Sequence, residues 1–271
     1  MTTGMPLLDS HLSALTLRAF RPTTIKARRA VLLAFAREVA PRHLGEVTRQ
    51  DVETYLCRPL APESRRTYRA HLRAFYSWCV EEGLLHDDPT AKVPTIKVRR
   101  GTPRPLSDAD LERALALADR RMRAWLLAMA LAGLRCMEVA ALRPTDLAET
   151  PSGALLHLRV TKGGSPATVP CHPALLDALA AVPIRNGLWW DLTAGTLSAA
   201  VNRHLRTAGV PGTAHALRHW AGTSWYRASG HDLLTTAALL RHASVDTTSI
   251  YARVSPERPF EVARAVGLRA V

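Results

Sequence analysis

Between Thr23 and Val39 the apolar positions Ile25, Val31, Leu32, Phe35 and Val39 recur at helical spacing, with Pro22 just before them as a start signal. A second helix is expected over Asp51–Leu56. In the third segment, Ser64–Glu82, Tyr68, Leu72, Phe75, Tyr76 and Cys79 fall on one side of a helix, while Arg65, Arg66, Arg69 and Arg73 share the adjacent arc. One face packs; the next presents guanidinium groups. Between Asp87 and Pro105 the pattern fails, because Pro89, Pro94, Pro103 and Pro105 interrupt it, with Lys92, Lys97, Arg99 and Arg100 in between. Periodicity resumes at the N-cap Ser107, runs through Leu117, and returns from Met122 to Leu142. After Pro144 two short β-compatible runs, Ala154–Val160 and Ala167–Pro170, bracket Thr-Lys-Gly-Gly-Ser-Pro, which predicts a hairpin with Lys162 at its tip. Further helices are expected at Ala174–Ala181, Thr196–Ala208, Ala214–Ser229, Leu233–Leu240 and Glu261–Leu268. The pattern predicts a mainly α protein with a small β-hairpin: a helical domain over 1–88, a basic linker over 89–105, and an α+β domain over 106–271.

Composition narrows the class of partner. The chain has 271 residues, 47% of them hydrophobic, enough for ordinary packed cores. Its formal charge of +13 is spread over both parts, with 17 basic against 10 acidic residues up to Arg100 and 19 against 13 beyond it. A phosphate-bearing polyanion is the partner this implies. Cys57, Cys79, Cys136 and Cys171 lie far apart without a Cys-x-x-Cys pair, so neither a metal site nor a disulfide framework is indicated, and a reducing cytosol fits. The apolar run Trp125–Leu134 is too short to span a bilayer, and no export signal opens the chain. A cytoplasmic protein without membrane contact is expected.

The second domain holds an ordered set of reactive side chains. Cleaving a phosphodiester without a metal takes a nucleophile, cations to offset charge on the non-bridging oxygens, and an acid for the leaving oxygen. Arg135 and Glu138 stand three apart in Gly133-Leu134-Arg135-Cys136-Met137-Glu138-Val139, spaced to share a helix face. His215-Ala216-Leu217-Arg218-His219 follows, then Leu240-Arg241-His242, and nine residues on, Tyr251. His215 and His219 have the spacing of a helical metal pair but no third ligand nearby, and Lys162 beside two glycines lacks the frame of a phosphate loop.

This order of Arg, turn Lys, His-x-x-Arg, His and Tyr resembles the active site of the tyrosine recombinases, the phage integrase family. The local contexts are similar too: Gly-Leu-Arg-x-x-Glu-Val-x-x-Leu, His-x-Leu-Arg-His, and Leu-x-His-x-Ser-x-x-Thr-Thr-x-x-Tyr. The first domain matches the family's core-DNA-binding domain only in outline, through Leu44–Val52 and the Arg-Tyr-Arg helix. The resemblance implies a site-specific recombinase in which Tyr251 attacks phosphorus to give a 3′-phosphotyrosyl link. Arg135 and Arg218 would clamp the phosphate, His215 and His242 would add hydrogen bonds, Lys162 would be the acid, and Glu138 would orient Arg135. Double-stranded DNA with core-type sites would be the partner, met also by Arg65, Arg66, Arg69, Arg73, Lys97, Arg99 and Arg100, with no metal, ATP or other cofactor. A monomer in solution and a homotetramer on paired sites are implied, the tail helix at 261–268 docking on a neighbour or folding back on its own subunit. A type IB topoisomerase and a DNA-binding regulator without catalysis stand as alternatives.

Overall fold

Burial of the apolar stripes predicted above organises the first part of the chain. The computed structural model describes residues 6–40, 42–98, 106–161 and 164–241. Two units separate, Met1–Gly101 and Thr102–Val271. In the first, helices α1 (Pro6–Leu17), α2 (Pro22–Val39), α3 (Arg49–Cys57) and α4 (Pro62–Glu81) enclose Leu8, Leu32, Phe35, Val52, Tyr55, Leu72, Phe75 and Tyr76. Proline at the first turn starts α2 and α4, where its missing N–H has no helical acceptor to lose. Thr48 and Asp51 cap α3 reciprocally. The phenol of Tyr76 donates to the Leu44 carbonyl at 3.0 Å, so its burial leaves no unsatisfied hydroxyl.

Two differences from the sequence reading stand out here. Helix α1 was not expected, because the buried face it presents is Leu8, His11 and Leu15, and a histidine interrupts the apolar stripe. The stretch read as the start of a linker is packed into this unit as far as Val93. Asp88 accepts from Arg73 Nη1 at 2.8 Å and Ser77 Oγ at 3.1 Å, and caps Thr90 through its N–H at 2.7 Å. Arg69 donates twice to the Val93 carbonyl, from Nε at 3.1 Å and Nη2 at 2.6 Å, and Thr90 and Val93 are buried.

The second unit is built around α6 (Arg120–Leu131), whose residues Ala124 to Ala130 are all buried. A helix apolar all round must be enclosed on all sides. It is preceded by α5 (Asp108–Ala116), started by the reciprocal cap of Ser107 and Asp110, and followed by α7 (Cys136–Ala141). The single helix expected from Met122 to Leu142 is therefore two, broken at Ala132–Arg135, where Gly133 takes φ +58°. Strands β1 (Leu147–Thr150), β2 (Gly153–Leu158) and β3 (Ala167–Pro170) form an antiparallel sheet in that order, with Leu147 opposite Leu156 and Leu155 opposite Pro170. The predicted hairpin is β2–β3, and β1 adds an unpredicted third strand. Helices α8 (Pro173–Ala180), α9 (Ala194–Thr207), α10 (Ala214–Ala228) and α11 (Leu233–Leu240) complete the described part, each within two residues of its expected ends. The fold is mainly α with a small sheet, as the pattern predicted. The expected tail helix at 261–268 lies outside the described residues.

Candidate active site

The break between α6 and α7 creates the site. Arg135 is the N-cap of α7 and Glu138 its N3 residue, so the pair is a capping box rather than two neighbours on one helix face. Glu138 Oε2 accepts the Arg135 backbone N–H at 2.8 Å, and Oε1 accepts Arg135 Nη1 at 2.9 Å. The Glu138 side chain is fully buried and that of Arg135 is 21% exposed. The carboxylate thus starts a helix and holds a guanidinium together.

His215 and Arg218 lie in the first turns of α10, opposite that capping box. Asn202 Oδ1 accepts the Ala214 N–H at 2.7 Å, which fixes the start of α10 on α9. Arg218 is buried, and its Nη1 and Nη2 donate to the carbonyls of Gly133 and Leu240. Arg135, His215 and Arg218 line one cavity of about 340 Å³ together with Leu134, Cys136, Ser198, Asn202, Thr213 and Ala214. His219 stacks edge-on against His215, with ring centroids 4.6 Å apart. Burial, with His215 and Arg218 beside it, pushes the His219 pKa down to about 4, so it is neutral at pH 7. Among the described residues no three His, Cys, Asp or Glu side chains group as a metal site. Nor is any helix among them long and apolar enough to cross a membrane.

Arg241, which the sequence reading passed over, belongs to the same constellation. Its Nη2 donates to Glu138 Oε2 at 2.8 Å and approaches the Gly133 carbonyl at 3.3 Å. Its signal in the sequence is a lone charge directly after the apolar α11 and before His242. Lys162, His242 and Tyr251 lie outside the described residues, as do Arg99 and Arg100. Near Lys162, Thr161 Oγ1 donates to the Ser165 carbonyl at 2.7 Å and closes the turn between β2 and β3.

The arginine arc of α4 is divided in use. Arg66 and Lys97 are exposed. Arg69 and Arg73 are half-buried and bound to Val93 and Asp88, and Arg65 reaches the Arg58 carbonyl at 3.4 Å. Arg66 is thus exposed, while Arg65, Arg69 and Arg73, half-buried, also hold partners within their own unit.

Comparison with known proteins identifies the family. The model of the phage integrase family matches residues 104–258. Tyrosine recombinase XerC of Rhodospirillum centenum is 34% identical over 223 residues, covering 73% of this chain and 64% of that protein, just under two thirds of its length. XerD of Xanthomonas axonopodis pv. citri is 33% identical over 225 residues, covering 72% of this chain and 73% of the relative. Among solved structures, a lambda integrase dimer (residues 75–356) bound to a core site has a TM-score of 0.76 at 16% identity, covering 89% of this chain and 96% of that one. XerH bound to a palindromic difH substrate has a TM-score of 0.69 at 20% identity, covering 90% and 80%. At these identities the two structures speak for the fold alone.

Proposed function

Because the chain belongs to the phage integrase family, we propose that it is a site-specific DNA recombinase that cuts and rejoins strands through Tyr251. The observation that carries this reading is the meeting of Arg135, His215 and Arg218 on one cavity, in the order and local context of the family's catalytic residues. Two guanidinium groups converging on one space suit a phosphate, since planar N–H forks bind its non-bridging oxygens bidentately. The Tyr251 phenol would attack phosphorus, passing its proton to His215, and the P–O5′ bond would break as Lys162 protonates the leaving oxygen. His242 would hydrogen-bond the same phosphate. One phosphoester replaces another at each step, so rejoining draws on the bond energy kept in the phosphotyrosyl link and needs no nucleotide. No metal is required where the arginines supply the charge.

The partner would be double-stranded DNA carrying paired core-type sites, with a tetramer assembled on them. The related proteins named above are recombinases, which favours strand exchange over DNA relaxation or mere binding. Arg65, Arg66, Arg69 and Arg73 on α4, and Lys97 with Arg99 and Arg100 close to it in sequence, are the proposed DNA contacts, Arg66 and Lys97 being the exposed ones among the described residues.

The test is a duplex selected by the chain from a random-sequence pool and nicked a few nucleotides 3′ of the cleavage point, so that the 5′-hydroxyl fragment diffuses away. The wild type should accumulate a covalent adduct in a chelator and without ATP, and Tyr251→Phe should bind equally but form none. Adduct in Tyr251→Phe places the nucleophile elsewhere.

A further inference from the structure

We propose that Arg241 is a positioning residue of this site, acting through Glu138 on Arg135; the proposal rests on the recombinase reading. An arginine and a carboxylate left to themselves favour a two-point fork. Here the fork does not form. Glu138 Oε2 is occupied by Arg241 Nη2 at 2.8 Å and by the Arg135 backbone N–H at 2.8 Å, so the Arg135 guanidinium meets only Oε1, through Nη1 at 2.9 Å. Among the described residues that is the one hydrogen bond of the Arg135 guanidinium, whose residue lines the cavity. Arg241 thereby limits Glu138 to a one-point hold and leaves Arg135 donors for a phosphate.

The same residue reaches the second clamp arginine. The Gly133 carbonyl accepts from both Arg218 Nη1 and Arg241 Nη2. A chain of contacts therefore runs from Arg135 through Glu138, Arg241 and Gly133 to Arg218. Holding Arg241 there is unfavourable in two respects, backbone strain and burial. Its backbone sits at φ +54°, ψ +47°, a left-handed conformation disfavoured for a long side chain. Its side chain is only 12% exposed, and its Nε is buried without a hydrogen-bond partner among the described residues. Burial lowers its pKa, opposed by Glu138. A cation retained against strain and desolvation, in contact with the partners of two arginines that line the candidate cavity, points to a functional constraint.

Arg241→Gly separates the two effects, because glycine relieves the left-handed strain while removing the cation. On the nicked duplex, single-turnover adduct formation by Arg241→Gly should fall about ten- to a hundred-fold, the loss expected when a clamp group is misplaced by a fraction of its length. Duplex affinity and melting temperature should stay at wild-type values. Arg241→Lys should recover most of the rate. Replacing the scissile phosphate by a methylphosphonate, which removes the charge of one non-bridging oxygen, should shrink the Arg241→Gly deficit, because the deficit acts through Arg135 on that charge. If Arg241→Gly melts below wild type, Arg241→Met, neutral, unbranched and without a hydrogen-bond donor, carries the same expectations. An unchanged rate in the neutral variant, or a deficit of equal size on both linkages, overturns the inference while the recombinase reading stands. A wild type that forms no adduct at all overturns both.

Discussion

Substituting Gly133 by alanine should unsettle the second unit and its site together. Gly133 lies at φ +58°, where an alanine costs about 1–2 kcal/mol. A Cβ built there would stand 2.7 Å from Cη2 and 2.9 Å from Cζ3 of the Trp225 indole, closer than carbon atoms approach. Overpacking of this kind costs about 1–3 kcal/mol. Trp225 is half-buried and yields in part, so the expected total is about 3 kcal/mol, a shift of roughly 1–2 M in urea midpoint. Five of the six tryptophans (125, 189, 190, 220 and 225) lie in the second unit, which makes fluorescence a report on that unit. A double-mutant cycle with Trp225→Leu isolates the steric part, and its coupling should be about 1–3 kcal/mol in favour of the double variant. The displaced carbonyl should also loosen Arg218 and Arg241 and slow adduct formation at temperatures where the variant is folded. A loss below about 0.5 kcal/mol, or zero coupling, would refute the steric argument.

Three further outcomes are expected. His11 is 1% exposed, packed on Phe75 and Trp78, and burial with Arg28 nearby lowers its pKa to about 4. The unfolded chain takes that proton first, so the first unit should lose about 3 kcal/mol as pH falls from about 6.5 to about 4; melts of His11→Phe by circular dichroism should lack this loss, and an equal loss in the variant refutes it. Arg69→Ala should release the 88–93 segment and speed tryptic cleavage at the exposed Lys92, whereas an unchanged digestion rate would mean that the two bonds to Val93 are dispensable. Lys162→Ala should be slow on ordinary DNA and recover on a 5′-bridging phosphorothioate, whose sulfur leaves without an acid; no recovery moves the general acid to another residue.

Much of the fold was legible because most helices bury one face and so carry a 3.6-residue period. What escaped was local. Helix α1 hides its period behind His11, whose ring is buried among aromatics as an apolar residue would be. Strand β1 is four residues of Leu-Ala-Glu-Thr, too short and too mixed to alternate visibly. The break at Gly133 is silent in a sequence, since glycine interrupts a helical pattern without changing its phase. In the site, Arg135, His215 and Arg218 were legible through motif order, but Arg241 was not. Its partners lie 103 and 108 residues away, and no local spacing encodes a contact closed by tertiary structure.

The capping box at Arg135 has a thermodynamic consequence. An arginine side chain carries about 2 kcal/mol of rotamer entropy, which a flexible clamp surrenders when its ligand arrives. In this chain one buried carboxylate fixes both the start of α7 and the Nη1 end of Arg135, so that freedom is lost during folding. On the proposed reading, a phosphate arriving there would meet a side chain already stilled, and its binding entropy would be spared that loss.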